Sequence, residues 1–76
     1  MASSYAYMSG QTQVVCATLL LADGRYLGNF VAFTTAPDGR RELHERTCPG
    51  WYHTFEDALT AARAMAESIY PPVPHA

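Results

Sequence analysis

The sequence predicts an α+β domain: a three-stranded antiparallel meander followed by one amphipathic helix packed on one face of the sheet. Three observations lead there. Asp23-Gly24 and Asp38-Gly39 each sit between runs of strand-forming residues, and Gly supplies the positive φ that hairpin turns require. From Phe55 onward the apolar spacing changes to three and four, the period of a helix lying on a core. Pro71 and Pro72 then end that pattern, because the residue before a proline is driven out of α geometry.

Each element follows in order. Residues 1–13 carry Ser, Tyr and Gly with no clear period and read as a loose tail, with Tyr5 to Met8 as an optional edge strand. The domain proper is 14–70. Val14 to Leu21 is β-branched and apolar and forms the first strand. Tyr26 to Thr35 is the return strand at the centre, reached through Ala22-Asp23-Gly24-Arg25. Ala36-Pro37-Asp38-Gly39 is the next turn, with Pro where φ is preset and Gly where the left-handed region falls. Arg41 to Thr47 has Leu43 as its one large aliphatic, a composition suited to a wet edge. Cys48-Pro49-Gly50 breaks the sheet. Thr54 is the expected helix cap, with Glu56 and Asp57 in the first turn, where the helix dipole favours negative charge. Phe55, Ala58, Leu59, Ala62, Ala66 and Ile69 mark the apolar face, and Glu56, Thr60, Arg63 and Glu67 the wet one. Residues 71–76 are expected to be an extended, mobile, Pro-rich tail.

Seventy-six residues suffice for one domain with a small core, and chains of this size gain much from oligomerisation. Two cysteines are too few for a disulfide framework. Seven acidic residues against five basic ones give no global attraction to a polyanion. The longest apolar run, Val14 to Ala22, is interrupted by Thr18 and is too short to span a bilayer. Residues 1–13 lack the marks of a secretory signal, so the expected location is cytoplasmic, away from membranes.

The run Trp51-Tyr52-His53-Thr54-Phe55-Glu56-Asp57-Ala58, with Ala61-Ala62-Arg63-Ala64 after it, resembles the end of the plant ethylene-response DNA-binding domain. The arm-binding domains of phage integrases are similar, and both resemblances imply three strands and a helix. Thr54 to Leu59 also resembles the start of the helix in HicB-type antitoxins. In the DNA-binding families the sheet presents Arg and Trp to the major groove. Here the corresponding strands carry Val14, Leu19, Leu20, Leu27, Val31 and Phe33, so the resemblance implies fold and transfers no DNA-contact residue.

The chemistry-bearing residues are sparse. His44, Cys48 and His53 are zinc-ligand types around the Pro49-Gly50 bend, but three at irregular spacing fall short of a four-ligand structural site. Cys48 with His53 would make a thiolate–imidazole pair, and no third residue orients it. Walker, dinucleotide, Ser-His-Asp and paired-carboxylate patterns are absent from the sequence, so neither enzymatic activity nor a cofactor or metal is expected. Trp51 and Tyr52 either contact a partner or, in the case of Trp51, cover the open end of the core.

Alternation carries the functional expectation. Val15, Ala17, Leu19 and Leu21 lie on one side of the first strand and Val14, Cys16, Thr18 and Leu20 on the other. A sheet with one wet face alternates apolar with polar, and these strands are apolar on both sides. One helix covers one face, so an apolar face remains unless Met1 to Gln13, with Tyr5, Tyr7 and Met8, folds back over it, and the turn register leaves open which face that is. Val15, Ala17, Leu19, Leu21, Tyr26 and Phe30 are the expected interface residues of a non-catalytic interaction or oligomerisation module, a homodimer before other assemblies, with a protein partner as a further option. The alternative is a nucleic-acid-binding or antitoxin-like regulator. Metal analysis of protein purified without chelators should find no stoichiometric zinc; one zinc per chain would assign His44, Cys48 and His53 as ligands.

Overall fold

The Asp-Gly turns and the helical period produce β1 (Ser4–Ser9), β2 (Thr12–Leu20), β3 (Tyr26–Thr35), β4 (Arg41–Thr47) and α1 (Phe55–Ile69) in a computed structural model that describes residues 4–73. The sheet order is β1-β2-β3-β4 and every neighbouring pair is antiparallel. The expected meander is thus present in β2 to β4, with one more strand ahead of it. The optional edge strand over Tyr5 to Met8 is present as part of β1, and the loose-tail reading of the rest of 4–13 is corrected; Met1 to Ser3 lie outside the described residues. The physical reason is the Gly10-Gln11 turn. Ser9 pairs with Thr12, Gly10 has φ 61, and Gly at the first central position of a two-residue loop gives a turn whose twist matches the strands. Pairing with β1 also carries β2 back to Thr12.

The other two hairpins share one turn chemistry. In each, the glycine N–H donates to a carbonyl three residues back, Gly24 to Leu21 at 3.0 Å and Gly39 to Ala36 at 2.9 Å. Asp23 Oδ1 accepts from the Arg25 N–H at 3.1 Å, and Asp38 Oδ1 accepts from the Arg40 N–H at 3.0 Å. These are three-residue loops, a type I turn closed by a left-handed glycine, and not the two-residue form that Asp-Gly most often signals.

Helix α1 lies over β2 and β3 and touches β1. Val14, Cys16, Phe30 and Ala32 from the sheet meet Ala62 and Ala66 from the helix, with Tyr5, Tyr7, Leu59, Met65 and Tyr70 packed around them. Small helix residues let the two layers approach closely. At Gly28 the approach is closest: a Cβ there would lie 2.4 Å from the Ala58 carbonyl oxygen and 3.3 Å from the Ala62 Cβ. Ile69, expected on the apolar face, is 42% exposed; Met65 packs against the core instead. The helix begins as expected, with the Thr54 hydroxyl accepting from the Asp57 N–H at 3.1 Å.

The segment after the helix is docked as far as it is described. Val73 donates to the Met8 carbonyl at 3.2 Å and accepts from the Gly10 N–H at 3.1 Å, a parallel bridge along the outer edge of β1. This corrects the mobile-tail reading for Pro71 to Val73; Pro74 to Ala76 lie outside the described residues. Tyr7 donates its hydroxyl to the Tyr70 carbonyl at 2.7 Å, so β1 and the chain beyond α1 hold each other.

Two substitutions test this packing. Gly28→Ala should lower stability by roughly 1–3 kcal/mol through overpacking, and Thr54→Ala by about 1 kcal/mol through loss of the cap. Urea midpoints measure both, and an unchanged midpoint for Gly28→Ala would mean that the helix does not sit on β3 at this point.

Candidate functional site

Cross-strand register decides which side chains share a face, since directly opposed residues point the same way. Val15 opposes Val31, Leu19 opposes Leu27, and Phe33 opposes Leu43. None of these lies among the core residues beneath the helix. With Ala6, Met8 and Ala17 they form an apolar surface on the sheet face away from α1. Leu19 is 49% exposed, Leu43 60% and Met8 40%. Four strands at about 4.8 Å spacing and about 30 Å long give the whole face roughly 500–600 Å², of which Gln13, Asn29, Arg41, Glu45 and Thr47 take a polar share. Monomers rarely expose a contiguous apolar patch larger than a few hundred Å².

The register sorts the expected interface residues. Val15, Ala17 and Leu19 are on the uncovered face. Leu21 lies just past β2, where its N–H donates to the Arg25 carbonyl at 2.7 Å. Phe30 and Tyr26 are on the helix side: Phe30 is 1% exposed with its ring 6.2 Å from that of Tyr70, and the Tyr26 ring is 6.5 Å from that of Phe55. Their place on the free surface is therefore corrected, and Leu27, Val31, Phe33 and Leu43 replace them. The alternation of β3 was visible in the sequence, but its register against β2 was not; a one-residue slip swaps the faces. Asn29, between Ala17 and Thr47 in the ladders, is a polar mark on this face, and its buried Oδ1 has no hydrogen-bond partner among the described residues.

Trp51 and Tyr52 divide. Tyr52 exchanges two backbone hydrogen bonds of 2.8 Å with Tyr26, extending the ladder beyond the end of β4. Trp51 does not cover the core: it is 46% exposed, with the Arg25 guanidinium 4.4 Å from its ring centre and the His53 ring at 5.0 Å. Such cation–aromatic contacts fix the arginine over the ring.

The arginines do not gather. Arg25 is in the β2–β3 turn, ion-paired with Asp23, and Arg40 is in the β3–β4 turn, 2.8 Å from Asp38. Ten residues of β3 separate these turns, about 30 Å of strand. The side-chain hydrogen bond from Arg25 lowers the pKa of Asp23. Arg41 and Arg46 alternate to opposite faces of β4, and Arg63 reaches Glu67 at 3.7 Å and stacks 3.9 Å from the Tyr5 ring centre.

The structure does not assemble His44, Cys48 and His53: no group of three metal-ligating side chains occurs among the described residues. His44 lies 3.8 Å from Glu42, and His53 sits against Trp51. Cys48 is 5% exposed and burial raises its thiol pKa, the opposite of what a nucleophile needs. The described residues enclose no pocket, and no described helix is long and apolar enough to cross a membrane.

With this geometry in place, comparison with known proteins gives no relative: no family model matches the chain, and no curated protein or solved structure matches it.

Two core groups set an alkaline limit. Burial pushes the Cys16 thiol up to about 11, against the smaller opposing pull of Arg63. Burial, then the neighbouring Cys16, pushes the Tyr7 hydroxyl up to about 12. Both groups lose their protons at lower pH when unfolded, so their stabilisation is complete below about pH 9 and fades as pH rises through 11 and 12. The urea midpoint should fall across that window, and the fall should be shallower in Cys16→Ala and Tyr7→Phe; identical slopes in all three proteins would exclude these groups as its source.

Proposed function

We propose that this domain is a non-catalytic self-association module whose working surface is the sheet face opposite α1, forming a homodimer. The observation that carries this reading is the uncovered apolar face itself, in which Leu19 and Leu43 stand about half or more exposed beside Val15, Val31 and Phe33. Stable interfaces bury about 800 Å² per partner, and a face of roughly 500–600 Å² plus its rim approaches that size. Two such faces pack about 10 Å apart with interdigitating side chains. A second copy also supplies what a short chain lacks, further apolar burial. With Cys16 and Cys48 free, a reducing, cytoplasmic compartment suits the reading.

The alternative, a nucleic-acid-binding or antitoxin-like regulator, draws less support. Three of the five arginines are ion-paired with a neighbouring carboxylate, and two of these are at opposite ends of the sheet. Few are left to release counterions from a polyphosphate backbone.

Light scattering on gel-filtered protein at tens of micromolar should give a dimer mass. Leu19→Asp, which places a charge at an exposed point of the face, should weaken association at least tenfold while leaving the circular dichroism spectrum unchanged. A monomer mass for the parent chain would overturn the proposal.

A further inference from the structure

We propose that β4 is also a pairing edge, which joins β4 of a second copy antiparallel in a register centred on Leu43. The backbone edge of β4 shares only Leu43 with the apolar residues named above, and the inference stands whether or not that face associates.

The backbone comes first. The Ala36 N–H donates to the Arg40 carbonyl and the Cys48 N–H to the Gly28 carbonyl, so at both ends of β4 the even-numbered residues bond inward to β3. Antiparallel ladders alternate, which turns the N–H and C=O groups of Arg41, Leu43, Glu45 and Thr47 outward. No described strand lies on that side. The opposite edge of the sheet is different, since Val73 bonds to Met8 and Gly10 along β1. All seven residues of β4 are exposed, and none is proline, so nothing in the strand blocks the outward ladder.

Side chains then select the register and the occupant. Charges on an edge strand usually guard it against pairing. In β4 they read as a self-complement: Arg41, Glu42, Leu43, His44 and Glu45. With Leu43 opposite its own copy, Arg41 faces Glu45 twice and Glu42 faces His44 twice. All of the outward backbone groups from Arg41 to Glu45 then meet outward groups. Centring on Glu42 sets that carboxylate against itself, and centring on His44 sets Leu43 against Glu45. In the chosen register Arg40 meets Arg46, and Asp38, 2.8 Å from Arg40, offsets that charge. The two Leu43 side chains touch on the uncovered face and join the two apolar patches across an eight-stranded sheet.

Amide hydrogen exchange at millimolar concentration, read by NMR, tests this directly. Glu42, His44 and Arg46 are bonded to β3 and serve as internal standards. The Leu43 and Glu45 amides should exchange at least tenfold more slowly than in dilute protein. Glu45→Arg should abolish that protection by opposing two arginines, and Arg41→Glu with Glu45→Arg should restore it. The same protection should persist in Leu19→Asp, where the face is disabled. Fast exchange at Leu43 and Glu45 at every concentration, or protection lost in Leu19→Asp, would overturn the edge pairing.

Discussion

The close approach of α1 to β3 at Gly28 organises the molecule. A side chain there would collide with the Ala58 carbonyl, and on the helix the contact residues Ala58, Ala62 and Ala66 are fully buried. Small residues on both partners let the layers come together, and well-packed cores tolerate little added volume at such points. The same contact fixes which sheet face the helix takes. Everything odd-numbered on β2 and β3 is thereby left uncovered, so the free apolar face is a by-product of where one glycine falls in the register.

Much of this was legible in the residues. Tyr26 to Thr35, Arg41 to Thr47 and the Thr54 cap fall where turn chemistry and helical period put them, because those signals are local. The β1 strand was legible only as an optional edge strand over Tyr5 to Met8, because Gly10-Gln11 is a weaker turn signal than Asp-Gly and because Tyr5 and Tyr7 alternate with only Ala6 and Met8. Pairing also stabilises β1 non-locally, through Val73 and the Tyr7–Tyr70 hydrogen bond. The existence of an uncovered apolar face could be argued from strand alternation. Its membership could not, since Phe30 and Val31 differ by one position and register alone decides which of them is under the helix.

Charge placement separates the two ends of the molecule from its middle. Each Asp-Gly-Arg turn ties its arginine back to its own aspartate, so the turns are nearly neutral and locally rigid. The remaining charges are divided between β4 and α1. On β4, Arg41, Glu42, Glu45 and Arg46 lie along a strand whose seven residues are all exposed, so these charges stay solvated on both faces.

The chain order has a further consequence. All three hairpins join neighbours in sequence, so the sheet can assemble from its beginning as synthesis proceeds. The helix that shelters Phe30 and Val14 follows all four strands, and Val73 pairs along the β1 edge after it. A chain stopped short of Phe55 would display apolar side chains on both faces and an open backbone at both margins. Residues 55–73 thus close both the face and the edge that the preceding strands leave open, so the sheet depends on a segment that none of its own hairpins contains.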